Sequence, residues 1–347
     1  LKDGAHFSRE FIIMLLAIFL GIIAALFLSY FDYQVYTKFW PVIAVFCVII
    51  MLVLFKWGTG PSSRPDARTW LSIGPINFQP SELVKIGFII TFGVHLDKVK
   101  EKINNIFSIL QLGAHAAVPI VLVAATGDMG SALVFMVIAI VMMFVAGVHW
   151  GYFLGGIALV GAATPLIWTY VLKQLQKDRF LALIYPDLYP DIIYQQQRGL
   201  NAIGAGGITG QGLFKGAYTQ AGAVPESQND MIFSVVGEEF GFIGCITALL
   251  LIVLITVRII YVGKKSSEQS TNLICTGMAA MIIGQMIINV GMCLMLLPVI
   301  GITLPFFSAG GSSNLCVYLG IGIVMSIYRH NCDTGAVNIR VYDSLKK

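Results

Sequence analysis

The chain has 347 residues, of which 57% are hydrophobic and 12% charged, with a formal net charge of +4 and a mean hydropathy of +0.83. Soluble domains carry about 25% charged residues, so this composition argues against a soluble globular protein, and the small positive balance gives no case for a nucleic-acid partner. The apolar residues come in long runs, the pattern of an all-α, polytopic transmembrane protein, because helices satisfy their own backbone hydrogen bonds in lipid. Cys47, Cys245, Cys275, Cys293, Cys316 and Cys332 contain no CxxC pair, and the five histidines are isolated in sequence. Neither a disulfide framework nor a zinc site follows from them.

A span needs about 20 apolar residues. Nine are predicted, at 11–31, 40–57, 80–96, 107–126, 130–147, 150–174, 232–261, 271–297 and 311–328. Their orientation follows from basic residues in short loops. Lys98, Lys100 and Lys102 form one cluster, Lys264 and Lys265 a second, and Arg329, Arg340, Lys346 and Lys347 flank the C-terminus. Four predicted spans separate the first two clusters and two separate the second from the last, so all three share the cytoplasmic face. By the same parity residue 1 lies outside, which predicts one further span upstream. No cleavable signal peptide is predicted, since the first apolar run lacks a basic flank and a small-residue cleavage site.

Two polar stretches then face outward. The first, 58–79, contains Arg64, Asp66, Arg68 and Trp70. The second, 175–231, is the longest loop, and a loop of that length is more often functional than not. It holds YPDLYPD, a glutamine run and GAGGITGQGLFKG from Gly204. The glycine stretch is not a nucleotide loop, because no strand precedes it. The whole of 1–347 reads as a single integral membrane domain, with 175–231 as a large extracytoplasmic loop within it.

Ionisable residues inside spans cost about 2.5–3.5 kcal/mol on insertion scales and usually mark function. Asp230 stands at the outer end of a predicted span, with Glu238 and Glu239 one to two turns deeper. On a straight helix Glu238 lies about 80° around from Asp230 and roughly 12 Å along the axis, while Glu239 lies about 180° around. Glu238 can therefore share a cavity with Asp230, and Glu239 points elsewhere. The helix dipole would hold Asp230 ionised, as a general base, a cation ligand or simply a helix cap. Gly237 and Gly241 form GxxxG, a close-packing face. In QPSELVK, Glu82 precedes Lys85 by three residues, within ion-pair reach; the pair is either a structural clasp or part of a polar cavity. Asp128 sits in a short break between two apolar runs, capping a hairpin, lining a cavity, or both. LPFFSAGGSS, ending at Ser313, offers backbone donors at a helix start, a setting suited to phosphate.

These motifs together resemble the SEDS family, the RodA, FtsW and SpoVE group of bacterial cell-shape, division and sporulation proteins. The likeness rests on ARTWLSIGPINFQPSELVK from Ala67, GDMGSAL from Gly127, AIGAGGITGQG from Ala202, NDMIFSVVGEE from Asn229 and TLPFFSAGGSS from Thr303, in order across nearly the whole chain. The family pattern differs at Asn229, Met231, Ala309 and Arg198, none of which removes a charged catalytic group. The resemblance implies ten spans with a cytoplasmic N-terminus. The run 11–31 matches the family's second span, so the chain is expected to begin one helix in.

The resemblance further implies a peptidoglycan glycosyltransferase of the bacterial cytoplasmic membrane, polymerising lipid II on the extracytoplasmic side with inversion. Asp230 is then the catalytic aspartate and a possible ligand of a divalent cation, Mg or Mn. Arg68 or Lys85 would face the leaving pyrophosphate, and Trp70, Glu82, Asp128, Glu238 and Ser312 would support the site. No organic cofactor is expected. The implied partners are a class B penicillin-binding protein, which is a transpeptidase, and other proteins of the elongation or division complex, with a RodA-like elongation role favoured. Two competing readings are a lipid II flippase, which needs an alternating path across both leaflets, and a non-catalytic scaffold for the transpeptidase, in which the carboxylates are dispensable.

Overall fold

A computed structural model describes residues 9–60, 67–74 and 76–344. Arg64, Asp66, Lys346 and Lys347 lie outside the described residues, as does the side chain of Arg340. In chain order the elements are α1 (Arg9–Tyr30), α2 (Tyr33–Lys38), α3 (Trp40–Trp57), β1 (Leu71–Ile73), β2 (Ile76–Phe78), α4 (Pro80–Lys98), α5 (Ile106–Ala125), α6 (Met129–Val145) and α7 (Trp150–Leu166). There follow α8 (Gln174–Ile184), α9 (Pro190–Gly206), α10 (Ala217–Gln220), α11 (Ile232–Lys265), α12 (Gln269–Cys293) and α13 (Gly311–Ser344).

Seven of the helices are long and apolar enough to cross a membrane: α1, α3, α5, α7 with its π-helical extension to Tyr170, α11, α12 and α13 as far as Asn331. Helix α6 is apolar but shorter. Helix α4 is long enough, but it carries Glu82, Lys85, Asp97 and Lys98. It compensates by burial, with most of its residues from Pro80 to Leu96 enclosed by protein. Helix α7 is its opposite, with no buried residue. Leu154, Ile157, Leu159 and Val160 are all exposed on it, a surface suited to acyl chains.

The packing divides into two compact units. One comprises 1–146, 254–284 and 309–347, the other 147–253 and 285–308. In the first unit α1 lies along α13, and the approach is close enough that a Cβ on Gly322 would stand 2.7 Å from the Ala25 Cα. Strands β1 and β2 pair antiparallel, Leu71 opposite Phe78 and Ser72 opposite Asn77, and lead directly into α4.

In the second unit the stretch expected to be a loop is largely helical. Helices α8, α9 and α10 occupy most of 174–220. Their apolar content was hidden in sequence by short length and by the polar faces of amphipathic helices. Gln196 of α9 is buried and donates from Nε2 to the carbonyls of Met292 (2.8 Å) and Leu297 (2.7 Å).

Helix α11 is broken at Gly241, whose backbone takes φ 66°, ψ −163°. The glycine-rich segment supplies the hydrogen bonds that the break removes. Gln211 and Gly212 N–H donate to the carbonyls of Glu238 and Glu239, at 3.0 and 2.9 Å. Phe242 and Ile243 N–H donate to the carbonyls of Gly207 and Ile208, at 2.9 and 3.2 Å. A broken helix in an apolar setting persists only when its freed backbone groups are satisfied in this way. Of the expected GxxxG pair, Gly237 is a packing position against Ile203, whereas Gly241 is the break itself.

Candidate functional site

The polar residues expected at the site are divided between the two units. In the first unit, Asp128 is the N-cap of α6. Its Oδ1 accepts from Ser131 N–H at 3.0 Å, and its Oδ2 accepts from Ser81 Oγ (3.0 Å) and from Gln79 Nε2 (2.8 Å). Asp128 is buried, so this one carboxylate caps a helix and ties the start of α4 to the start of α6. Ser312, also buried, accepts from Gln79 N–H at 3.1 Å and donates to the Asn77 carbonyl at 3.3 Å. It fastens the start of α13 to β2 and α4.

Glu82 and Lys85 meet at 2.7 Å, both buried, and Lys85 is 0% exposed. Of the two readings left open for the pair, the structure has the clasp. A lysine so enclosed presents no charge to a substrate, so among the two basic residues expected to face a leaving pyrophosphate only Arg68 is exposed. Arg68 N–H donates to the Thr126 carbonyl at 2.8 Å, and its guanidinium donates to the Phe55 carbonyl. Trp70 is held through its main chain, exchanging hydrogen bonds of 2.8 and 3.0 Å with Thr59.

In the second unit, Asp230 lies in a turn just ahead of α11, partly exposed. The turn is strained. Glu226 has φ 50°, a left-handed conformation costly for a residue with a Cβ, and Met231 N–H closes back on its carbonyl at 3.1 Å. Asn229 Nδ2 donates to Glu226 Oε2 at 2.9 Å. Two residues not singled out from sequence hold the turn in place. Asn289, 0% exposed, donates from Nδ2 to the Asp230 carbonyl (2.8 Å) and to the Ile302 carbonyl (2.7 Å). Ser308, also buried, donates from Oγ to the Asn229 carbonyl at 2.8 Å. The sequence signal for Asn289 is a polar residue in an otherwise apolar stretch of α12, since buried amides in spans act as interhelical ties, but it carries no charge to mark it.

Glu238 departs from the straight-helix expectation. Asp230 precedes α11 rather than belonging to it, so the 80° projection does not apply. The Glu238 carboxylate, 0% exposed, closes on the α10 loop instead: Oε1 accepts from Tyr218 N–H at 2.7 Å and Oε2 from Thr219 N–H at 2.9 Å. Gly216 must be glycine for this, because a Cβ there would lie 2.6 Å from Glu238 Oε2. Glu239 is also buried and accepts from Gln220 Nε2 at 3.1 Å. The adjacent glutamates thus anchor one short helix. Among the described residues, no three His, Cys, Asp or Glu side chains gather as a metal-ligand set.

The fold is that of a polytopic helical membrane protein, with a half-exposed aspartate on a pinned turn and a broken helix behind it. The family model FTSW_RODA_SPOVE, described as cell cycle protein, matches residues 3–333. The chain belongs to this family. It is 31% identical over 332 residues to a probable peptidoglycan glycosyltransferase FtsW of Geobacter sp. strain M18, covering 94% of this chain and 87% of the relative. It is 28% identical over 314 residues to the peptidoglycan glycosyltransferase MrdB of Escherichia coli K12, covering 90% and 83%. Among solved structures, a chain of a peptidoglycan synthase complex that coordinates polymerization and crosslinking matches with a TM-score of 0.80 and 25% identity over 93% of this chain and 91% of that one. The rod shape determining protein RodA of Thermus thermophilus matches with a TM-score of 0.70 and 24% identity, over 94% and 90%.

Proposed function

We propose that the chain is a peptidoglycan glycosyltransferase that polymerises lipid II, with Asp230 as general base. The observation that carries the assignment of the base is the Asp230 turn: a partly exposed carboxylate whose main chain is fixed by Asn289 and Ser308. The other acidic residues expected at the site, Glu82, Asp128 and Glu238, are buried. Membership of the family and the activity named for its MrdB and FtsW relatives support the reaction class.

In the reaction, the acceptor sugar's 4-hydroxyl gives its proton to the Asp230 carboxylate as its oxygen attacks the donor's anomeric carbon. The bond to the pyrophosphate oxygen breaks, and undecaprenyl pyrophosphate leaves with the electron pair. A single displacement inverts the anomeric configuration and needs no covalent enzyme intermediate. Positioned acid–base groups of this kind contribute roughly 10²–10⁴-fold. The pinned turn fixes the position of the base. A divalent cation, Mg or Mn, fits a site with one carboxylate when substrate phosphates supply further ligands. It would neutralise charge on the pyrophosphate.

The distribution of basic residues supports a bacterial cytoplasmic membrane orientation with Asp230 on the outer face. A class B penicillin-binding protein is the proposed partner, within an elongation complex of RodA type. Likeness to a chain of a synthase complex that couples polymerization to crosslinking supports this. The test is to incubate purified protein, with and without a class B penicillin-binding partner, with lipid II and Mg or Mn, and to resolve products on a gel. Glycan ladders from the parent that are lost in Asp230→Asn support the assignment. Ladders surviving in the variant move the base elsewhere, and no ladder from the partnered parent favours the flippase.

A further inference from the structure

The C-terminal part of α11 and the facing part of α13, both in the first unit, enclose space that the glycosyltransferase reading does not use. A cavity of about 420 Å³ is lined by apolar side chains including Leu254, Ile259, Val262, Ile321 and Val324, with Arg258 and Tyr328 also on its wall. A second cavity of about 200 Å³ shares Arg258, Val262 and Tyr328 with the first and adds Tyr261, Lys265 and Asn331. The two form one cleft, apolar over its larger part and basic at the end nearer Lys265.

The charge at that end is concentrated on two side chains. The Arg258 guanidinium lies over the rings of Tyr261 and Tyr328, 5.1 and 5.4 Å from their centroids, and Lys265 Nζ is 4.8 Å from the Tyr261 centroid. Among the described side chains no carboxylate stands within salt-bridge distance of Arg258. Aromatic faces attract a cation without neutralising it. An arginine two turns inside the end of an apolar helix keeps its positive charge over those rings and can attract an anion. Lys264 and Lys265 belong to the face that the basic residues mark as cytoplasmic. Basic pockets between transmembrane helices on that face are suited to anionic lipid headgroups.

We propose that this cleft binds an anionic phospholipid, with an acyl chain in the apolar cavity and the phosphate against Arg258 and Lys265. The combination selects the ligand. An inorganic anion uses the basic end alone and leaves the apolar cavity unfilled. A zwitterionic phospholipid carries a cationic head into a region already holding two positive side chains. The site is independent of the glycosyltransferase reading, because it invokes none of the residues expected at that site.

The test uses the full chain, purified and delipidated in detergent, with bound species counted by native mass spectrometry. The probes are dioleoyl phosphatidylglycerol, dioleoyl phosphatidylcholine and inorganic phosphate. The parent is expected to retain phosphatidylglycerol under activation that strips phosphatidylcholine. Arg258→Gln is expected to weaken phosphatidylglycerol binding about fivefold, the loss of one basic contact at a membrane surface. Met325 also lines the apolar cavity, and Met325→Trp narrows its wall without altering charge and is expected to weaken the same adduct, with the thermal midpoint in detergent unchanged. If Arg258→Gln fails to fold, Met325→Trp still decides. Equal retention of the two lipids would show ordinary interfacial anchoring by Arg, Lys and Tyr and overturn the proposal. Phosphatidylglycerol binding unmoved by Met325→Trp, or displaced by inorganic phosphate, would reduce the cleft to a simple anion site and overturn it equally.

Discussion

Asp128 and Asp230 each stand near the start of an apolar helix, yet the molecule holds them in different ways. Asp128 is buried, and its own oxygens cap α6 and receive Gln79 and Ser81. Asp230 is half-exposed and is held by its main chain, whose carbonyl accepts from Asn289 while the neighbouring Asn229 carbonyl accepts from Ser308. A carboxylate saturated by structural donors is a fastening. A turn fastened through its backbone sets the position from which its side chain projects. Glu238 resembles Asp128, for it is buried and its two oxygens accept from the Tyr218 and Thr219 N–H groups.

The sharpest break of this comparison is a pair of variants read for both activity and stability. Asp230→Asn is expected to lower lipid II polymerisation by roughly 10²–10⁴-fold while leaving the thermal midpoint in detergent unchanged. Polymerisation that survives at parental rate would remove the distinction between the two aspartates. Lys85→Met leaves Glu82 buried without its cation and is expected to cost about 3–5 kcal/mol of stability. The double variant Glu82→Gln, Lys85→Met is expected to recover most of that, as measured by thermal or denaturant unfolding in detergent. A double variant as unstable as the single one would mean that Lys85 has a role besides the clasp.

Asp128→Ala removes a helix cap and strands Gln79 and Ser81, for an expected loss of about 2–4 kcal/mol. Its residual activity should follow the folded fraction. Activity lost while folding is intact would move Asp128 into the catalytic group. Asn289→Ala is expected to cost about 1–3 kcal/mol of stability, less than the Lys85 and Asp128 variants, and it addresses positioning. It should lower kcat with little change in KM, because the base is displaced rather than removed. Equal stability with an unaltered kcat would show that the turn holds itself.

How much of this was legible beforehand varies with the physics of each element. The spans of α1, α3, α5 and α12 were readable because a long apolar run has few other uses. The strap of GAGGITGQG across the break in α11 was not, since a run of glycines specifies conformational freedom but not the carbonyls it will meet. Helices α8 and α9 read as loop in the sequence because their polar faces dilute the apolar signal. The Glu82–Lys85 pair was visible as a spacing, but only burial distinguished a clasp from a cavity. Asn289 and Ser308 lie 59 and 78 residues beyond Asp230, and no local pattern links such distant positions.

By itself the sequence determined that this chain lives among lipid, which segments are apolar enough to cross, and, through its ordered motifs, the family and the aspartate to be tested. Composition and short-range spacing suffice for those because hydrophobic burial and helix geometry act locally. The tertiary structure decided which carboxylates are consumed by hydrogen bonds, which lysine is sealed away, and where a glycine-rich segment replaces a helix's own bonds. Each of these depends on which donors and acceptors packing brings within about 3 Å of one another, and that is settled only when distant parts of the chain meet.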